Sequence, residues 1–212
     1  MSPNDCEASA AAIVAQRASG RRGSHDALAS PRQRVAVGAA AFDPRVHAAR
    51  PHGGQKKIAA NVVKITAGSQ RCSEAARITI YPDEARQPGK PPAPRVQDVY
   101  SLRCAPQVHG PVADALDYIG KILATEINSA TDNPLIFENT DGSSVIISGG
   151  HFHGQYVAQA MDLVSIAMAD LGSISERRLA RLIDPTMSYG LPRNLLAGKR
   201  GLNTGFAYFN QF

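Results

Sequence analysis

The segment Gln97-Asp98-Val99-Tyr100-Ser101-Leu102-Arg103-Cys104 gathers an amide, a carboxylate, a phenol, a guanidinium and a thiol within eight positions. On a helix, Gln97, Tyr100 and Arg103 fall at i, i+3 and i+6, loosely along one side. Those residue types suit an amino-acid substrate. A planar guanidinium fork holds a carboxylate by two parallel bonds, and a glutamine amide orients it. A phenol can move a proton, but free phenols ionise near pH ~10, so one needs tuning to serve as a base near neutrality. The same residues also suit a capped loop whose arginine makes a structural ion pair.

The histidines invite a metal reading and do not sustain it. His47 and His52 are five apart, and His151 and His153 two apart, with no clustered Cys and no HExxH spacing. On a strand His151 and His153 would share a face, yet a zinc site needs more ligands than this. Structural or substrate-pocket histidine is the better reading, and no metal is expected.

The elements that must position these groups are helical. Val108, Val112, Leu116, Ile119, Leu123 and Ile127 draw one apolar stripe at spacings of 3 and 4, a helix that Asp132-Asn133-Pro134 is expected to end. Val145-Ile146-Ile147 after Asp141-Gly142 suggests a short hairpin within 136–147, and Ser148-Gly149-Gly150 a flexible turn. Val157, Met161, Val164, Met168 and Leu171 begin a second long helix, running to about Leu182 and closed before Pro185. Small residues beside this stripe, Ala158, Ala160, Ala167, Ala169 and Gly172, permit close helix approach in a bundle or at a subunit interface. Earlier, Phe42-Asp43-Pro44-Arg45 reads as a helix start, His52-Gly53-Gly54 as a breaker, and 56–67 as a short amphipathic helix. Residues 83–94 hold four prolines and read as a linker. Residues 1–40, rich in Ala, Ser, Arg and Gly, read as a flexible segment, and residues 41–212 as the helical unit. The fold class is mainly α. Two long helices and a shorter one make a thin core for 212 residues, as in a piece of a larger helical assembly.

Composition narrows the classes. Hydrophobic residues at 43% and charged residues at 19% permit a sizeable core. No stretch approaches about 20 consecutive apolar residues, so no membrane span is expected. The apolar run from Ala8 to Ala15 lacks a basic leader and reads poorly as a signal peptide. Cys6, Cys72 and Cys104 form no CxxC pair and leave one over, which fits a reducing, cytoplasmic setting. The net charge of +5 is uneven: residues 1–110 carry 16 Lys/Arg against 8 Asp/Glu. That half has no run of five like charges and no interleaved aromatics, so nucleic acid is not the expected partner.

The wording of the motifs adds a resemblance. Gln97 through Gly110, with its Cys104-Ala105-Pro106-Gln107-Val108-His109-Gly110 continuation, closely resembles the signature of the aromatic amino-acid ammonia-lyases. Thr125 to Leu135, Ser148 to Gln155, Ser175-Glu176-Arg177-Arg178, Gly201 to Phe206 and, upstream, Phe42 to His52 resemble further family motifs, in order. Within the family the wording is nearest the histidine ammonia-lyases. The resemblance implies the long-helix bundle of the ammonia-lyase (fumarase/aspartase-like) architecture, assembled as a homotetramer, and a role in histidine catabolism. It implies elimination of ammonia from L-histidine to give trans-urocanate. The family's electrophile is a methylidene-imidazolone made from an internal Ala-Ser-Gly, which captures the substrate amine while a base removes a β-proton. Carried over by position, Tyr100 is the base, Arg103 the carboxylate clamp, Gln97 an orienting residue and Phe152 an aromatic pocket wall. His151 stands where the family usually has Asn, which bears on substrate choice.

Two departures shape the expectation. Ala18-Ser19-Gly20 lies among arginines, outside the glycine-rich context of the family's precursor, and reads as a coincidental match rather than a cofactor site. The chain also ends at Phe212, where members continue with further helices. A truncated, central-to-C-terminal fragment is therefore expected, inactive alone. The alternatives are a non-catalytic helical module docking with full-length lyase subunits through residues 155–182, and a phenylalanine/tyrosine ammonia-lyase or aminomutase relative.

Overall fold

The computed structural model describes residues 39–69, 97–188 and 191–196. Residues 1–38, with Ala18-Ser19-Gly20, and the 83–94 stretch lie outside the described residues. The described elements begin with a 3-10 turn, Ala39–Phe42, and a short helix α1, Pro44–Ala48. The helix start expected at Phe42 to Arg45 has a specific chemistry. Asp43 caps the helix by accepting the Arg45 amide at 2.8 Å, and Pro44 opens the first turn, where a missing N–H costs nothing. The Arg45 guanidinium closes back on both carboxylate oxygens of Asp43, at 3.0 and 2.6 Å.

Helix α2, Gly53–Thr66, starts one residue after His52. The expected breaker is instead the first turn of a helix, for a reason 56 residues away. A Cβ on Gly54 would sit 2.1 Å from the Gly110 carbonyl oxygen, and one on Gly110 2.6 Å from the Gln55 amide nitrogen. Bare backbone at both positions lets α2 cross the helix carrying Gly110. From that helix Asp114 accepts the Gly54 N–H at 2.8 Å, satisfying an amide that the helix start leaves without an internal partner.

After a bend at Gln97 come the single turn α3, Tyr100–Arg103, and α4, Ala105–Glu126. α4 ends short of the expected Asp132. Asn128 and Ser129 donate side-chain hydrogen bonds to the Ala124 and Thr125 carbonyls at 2.7 Å each, offering the last turn partners outside the helical ladder. The hairpin forms as expected: β1, Leu135–Glu138, pairs antiparallel with β2, Ser144–Ile147, in the register Leu135 to Ile147. Its turn places Gly142 at φ +82°, a left-handed conformation suited to glycine. At its base Asn133 Oδ1 accepts from Ser148 Oγ at 3.1 Å and from the Gly149 amide at 2.7 Å.

Helix α5, Gln155–Ile183, then packs against α4. Val112 of α4 meets Ala167 of α5, flanked by Leu116, Met168 and Leu171. The small side chains Ala160 and Ala167 are almost fully buried, as close helix packing requires. A second cluster joins Phe42, Ile58 and Val62, with Leu102 of α3 against it. Much of α5 still faces outward. Asp162 and Asp170 break its apolar run, yet only 17% of its most apolar stretch is buried. By length and composition alone it is apolar enough to cross a membrane; a helix apolar on most sides equally suits the interior of a larger bundle.

Candidate active site

The single turn α3 sets the two reactive groups side by side. The Arg103 guanidinium carbon lies 4.8 Å from the centroid of the Tyr100 ring, within cation–π range. Tyr100 is 69% exposed, so its phenol opens outward, while Arg103 is half-buried. Gln97 is exposed in the bend before the turn, not on the helix that its spacing suggested, and Asp98 beside it is buried. An open cleft of about 480 Å³ runs from Tyr100 and Cys104 past Val108 to Ile174, Arg181 and Met187. Val99, Val108, Ile174, Ala180 and Met187 give it apolar wall, Asp170, Ser173 and Arg177 line it as well, and Arg103 does not. Cys104 is a free thiol.

Beneath the turn lies a buried cation. Arg178 of α5 is 6% exposed; its Nε donates to the Ser101 carbonyl at 2.7 Å, and its Nη2 lies 3.1 Å from His109 Nε2. A guanidinium can only donate, so Nε2 accepts and the imidazole proton resides on Nδ1. Burial, with the Arg178 charge second, holds the His109 pKa down to about 4. Burial also draws the Arg178 pKa below its ordinary value. His109 Nδ1 and Arg178 Nη1 are buried with no hydrogen-bond partner among the described residues. Neither residue was assigned a role from the sequence. The readable signal was Arg178 itself, a charge on the apolar stripe that runs through Leu171 and Ile174.

His151 and Phe152 sit elsewhere. Both are exposed in the turn before α5, Phe152 at 66%. His151 lines a separate cleft of about 660 Å³ with Tyr118, Lys121, Glu126, His153 and Tyr156. Helices α4 and α5 are antiparallel: Arg178, near the end of α5, meets His109, near the start of α4, and Tyr156 shares its cleft with Glu126. The 22 residues of α4 therefore separate the Tyr100 end from the His151 end by about 33 Å at ~1.5 Å per residue. One chain does not bring His151 and Phe152 to Tyr100 and Arg103.

The other histidines divide by environment. His47 is 1% exposed. Its Nε2 lies 3.1 Å from the Ala41 carbonyl and its Nδ1 3.0 Å from Gln55 Nε2; with Nε2 protonated, both bonds are made and the ring is a structural link. His52 is exposed. Among the described residues no three His, Cys, Asp or Glu side chains cluster at metal-binding range, and none of these residues forms an Ala-Ser-Gly.

The family model for aromatic amino acid lyases matches residues 2–211. A histidine ammonia-lyase of Koribacter versatilis is 47% identical over 176 residues, covering 79% of this chain and 31% of that protein. Histidine ammonia-lyase 2 of Fusobacterium nucleatum is 47% identical over 166 residues, 78% of this chain and 29% of that one. The crystal structure of tyrosine aminomutase from Streptomyces globisporus superposes with a TM-score of 0.76 at 34% identity, covering 99% of this chain and 37% of that one. That of histidine ammonia-lyase from Trypanosoma cruzi gives 0.63 at 32% identity, covering 99% and 31%. The chain thus spans about a third of the length of these relatives. On the match along nearly all of its length, this mainly α-helical chain belongs to the aromatic amino acid lyase family.

Proposed function

We propose that this chain supplies the proton-transfer and carboxylate-binding part of an ammonia-lyase site, with L-histidine as substrate and trans-urocanate as product. One observation carries the reading: a phenol and a guanidinium share a single turn, the guanidinium carbon 4.8 Å from the ring centroid, and the phenol lines an open cleft. Arg103 holds the substrate carboxylate by two parallel hydrogen bonds. Gln97, in the adjoining bend, orients it. Tyr100 takes the β-proton, the electron pair left behind forms the Cα–Cβ double bond, and the C–N bond breaks so that the substrate's ammonium group departs as ammonia. In the family a methylidene-imidazolone makes the amine a better leaving group, and the described residues hold no Ala-Ser-Gly to form it. The relatives named as histidine ammonia-lyases support histidine as the substrate.

His151 and Phe152 join such a site from another copy, since their own chain holds them a helix length away. The proposed partners are therefore further lyase subunits in a homotetramer, and the isolated chain does not turn over substrate. The free Cys104 thiol fits a reducing, cytoplasmic setting. Mixing the chain with a full-length histidine ammonia-lyase, disabled by phenylalanine at its own base tyrosine, tests the reading. Co-assembly with restored urocanate formation by wild type, but not by Tyr100→Phe, is expected. Co-assembly without restoration overturns it.

A second reading, a non-catalytic module docking through α5, rests on the exposed Tyr156, Met161 and Ile166. Co-assembly in which Tyr100→Phe changes nothing favours it. Formation of a β-amino acid in the same assay favours the aminomutase branch.

A further inference from the structure

We propose that Arg178 is a positioning residue for the Tyr100–Arg103 pair, acting through the Ser101 carbonyl; the inference rests on the proposed lyase reading and deepens it. Four residues make α3, too few for cooperative helix stability of their own. The backbone bonds at the α3–α4 junction run from Cys104 N to Tyr100 O, and from Gln107 N and Val108 N to Cys104 O. The Ser101 carbonyl, one residue after the phenol and two before the guanidinium, is taken instead by Arg178 Nε at 2.7 Å. Nη2 of the same fork reaches His109 on α4. One rigid planar group on α5 thereby fixes the turn relative to the helix that follows it.

Stability alone is a poor reason for this arrangement. Arg178 is 6% exposed, and among the described residues it pairs with no carboxylate. Burying a cation in that way costs more than filling the same space with an aliphatic side chain. What the aliphatic side chain lacks is a donor for the Ser101 carbonyl, to which the guanidinium adds a second for His109. The His109 tautomer completes the device, because Nε2 must stay unprotonated to accept. The result is a turn whose two functional side chains are set by a residue that touches neither.

The test compares Arg178→Met and Arg178→Lys in the full chain. The fold is followed by amide exchange of α4 and α5, and the pair by the nuclear Overhauser contact between the Arg103 side chain and the Tyr100 ring. Arg178→Met is expected to keep helix protection and lose the contact. Arg178→Lys, which can still donate to Ser101, is expected to keep both. In the co-assembly assay Arg178→Met lowers kcat by about 30-fold and raises KM, because the base and the carboxylate clamp shift together, in keeping with the ~100-fold that ångström-scale misplacement can cost. Arg178→Lys recovers most of it. An unchanged contact in Arg178→Met overturns the proposal. So does loss of α4 and α5 protection in both variants, which marks a structural role only. Should Arg178→Met fail to fold, Arg178→Gln, uncharged and without the second anchor, is read by the same contact. If the wild-type chain restores no activity, the lyase reading fails while the contact still decides the role of Arg178.

Discussion

Gly54 and Gly110 meet backbone to backbone where α2 crosses α4, so closely that a methyl on Gly54 would fall 2.1 Å from the Gly110 carbonyl oxygen. Backbone cannot yield as a flexible side chain can. Gly54→Ala and Gly110→Ala are each expected to lower unfolding free energy by at least about 2 kcal/mol, at the upper end of overpacking costs. Gly120, on the same α4, has nothing within 4 Å of its would-be Cβ. Gly120→Ala should therefore raise stability by about 0.5–1 kcal/mol through helix propensity. Urea denaturation of the three variants checks the contrast. Equal effects at Gly54 and Gly120 would mean that the crossing is not this tight.

That contact also explains why part of the fold was hidden from the sequence. Two glycines after a histidine look like a break, because their reason for being there is a residue 56 positions on. The elements that could be read carry their cause locally: Asp43 caps its own helix, Asp141-Gly142 turns its own hairpin, and the α5 stripe repeats every few residues. Of the candidate site, Tyr100 and Arg103 were legible because i and i+3 must meet on any helical turn. The distance of His151 and Phe152 from them was not, since it follows from antiparallel packing of α4 on α5. The role of Arg178 was not legible either, although a charge on an apolar stripe marked the place.

His109 makes stability pH-dependent with a definite sign. Its folded pKa is held down to about 4, by burial first and the Arg178 charge second, against ~6.5 for a free imidazole. Between those values the unfolded chain binds the extra proton, so stability falls as pH drops from about 6.5 and levels off near 4. The loss is on the order of 3 kcal/mol. Asp43, whose pKa the Arg45 side-chain hydrogen bond lowers to about 2, acts in a separate window below pH ~4. Denaturation midpoints at pH 7, 5.5 and 4.5, for wild type and His109→Gln, check this. A His109→Gln profile parallel to wild type would sink the assignment.

Asn133 ties the hairpin base to the turn that leads to His151 and Phe152. Its single oxygen accepts both the Ser148 hydroxyl and the Gly149 amide. Asn133→Ala is expected to speed exchange of the Gly149 amide at least about tenfold, as loss of roughly 1–1.5 kcal/mol of local hydrogen bonding implies. Exchange on α4 should not change. Hydrogen exchange read by NMR separates the two, and an unchanged Gly149 amide would show that the turn is held by something else.

The outward side of α5 gives the last expectation. Ile166 at 62% exposure and Met161 at 41% lie exposed along α5, apolar surface that a lone chain leaves in water. Self-association through this helix removes that surface from water and would bring the His151 end of one copy within reach of the Tyr100 end of another. Ile166→Glu is informative because an exposed side chain contributes little to the fold of its own chain, whereas a carboxylate buried between helices is costly. In sedimentation, wild type is expected to form a concentration-dependent oligomer. Ile166→Glu should run as a monomer with unchanged helix content. If both run as monomers across the micromolar range, the α5 face is covered by something other than a second copy, and the shared-site arrangement loses its support. If both associate equally, the contact lies on another face, and the cleft around His151 and Tyr156 becomes the surface to alter next.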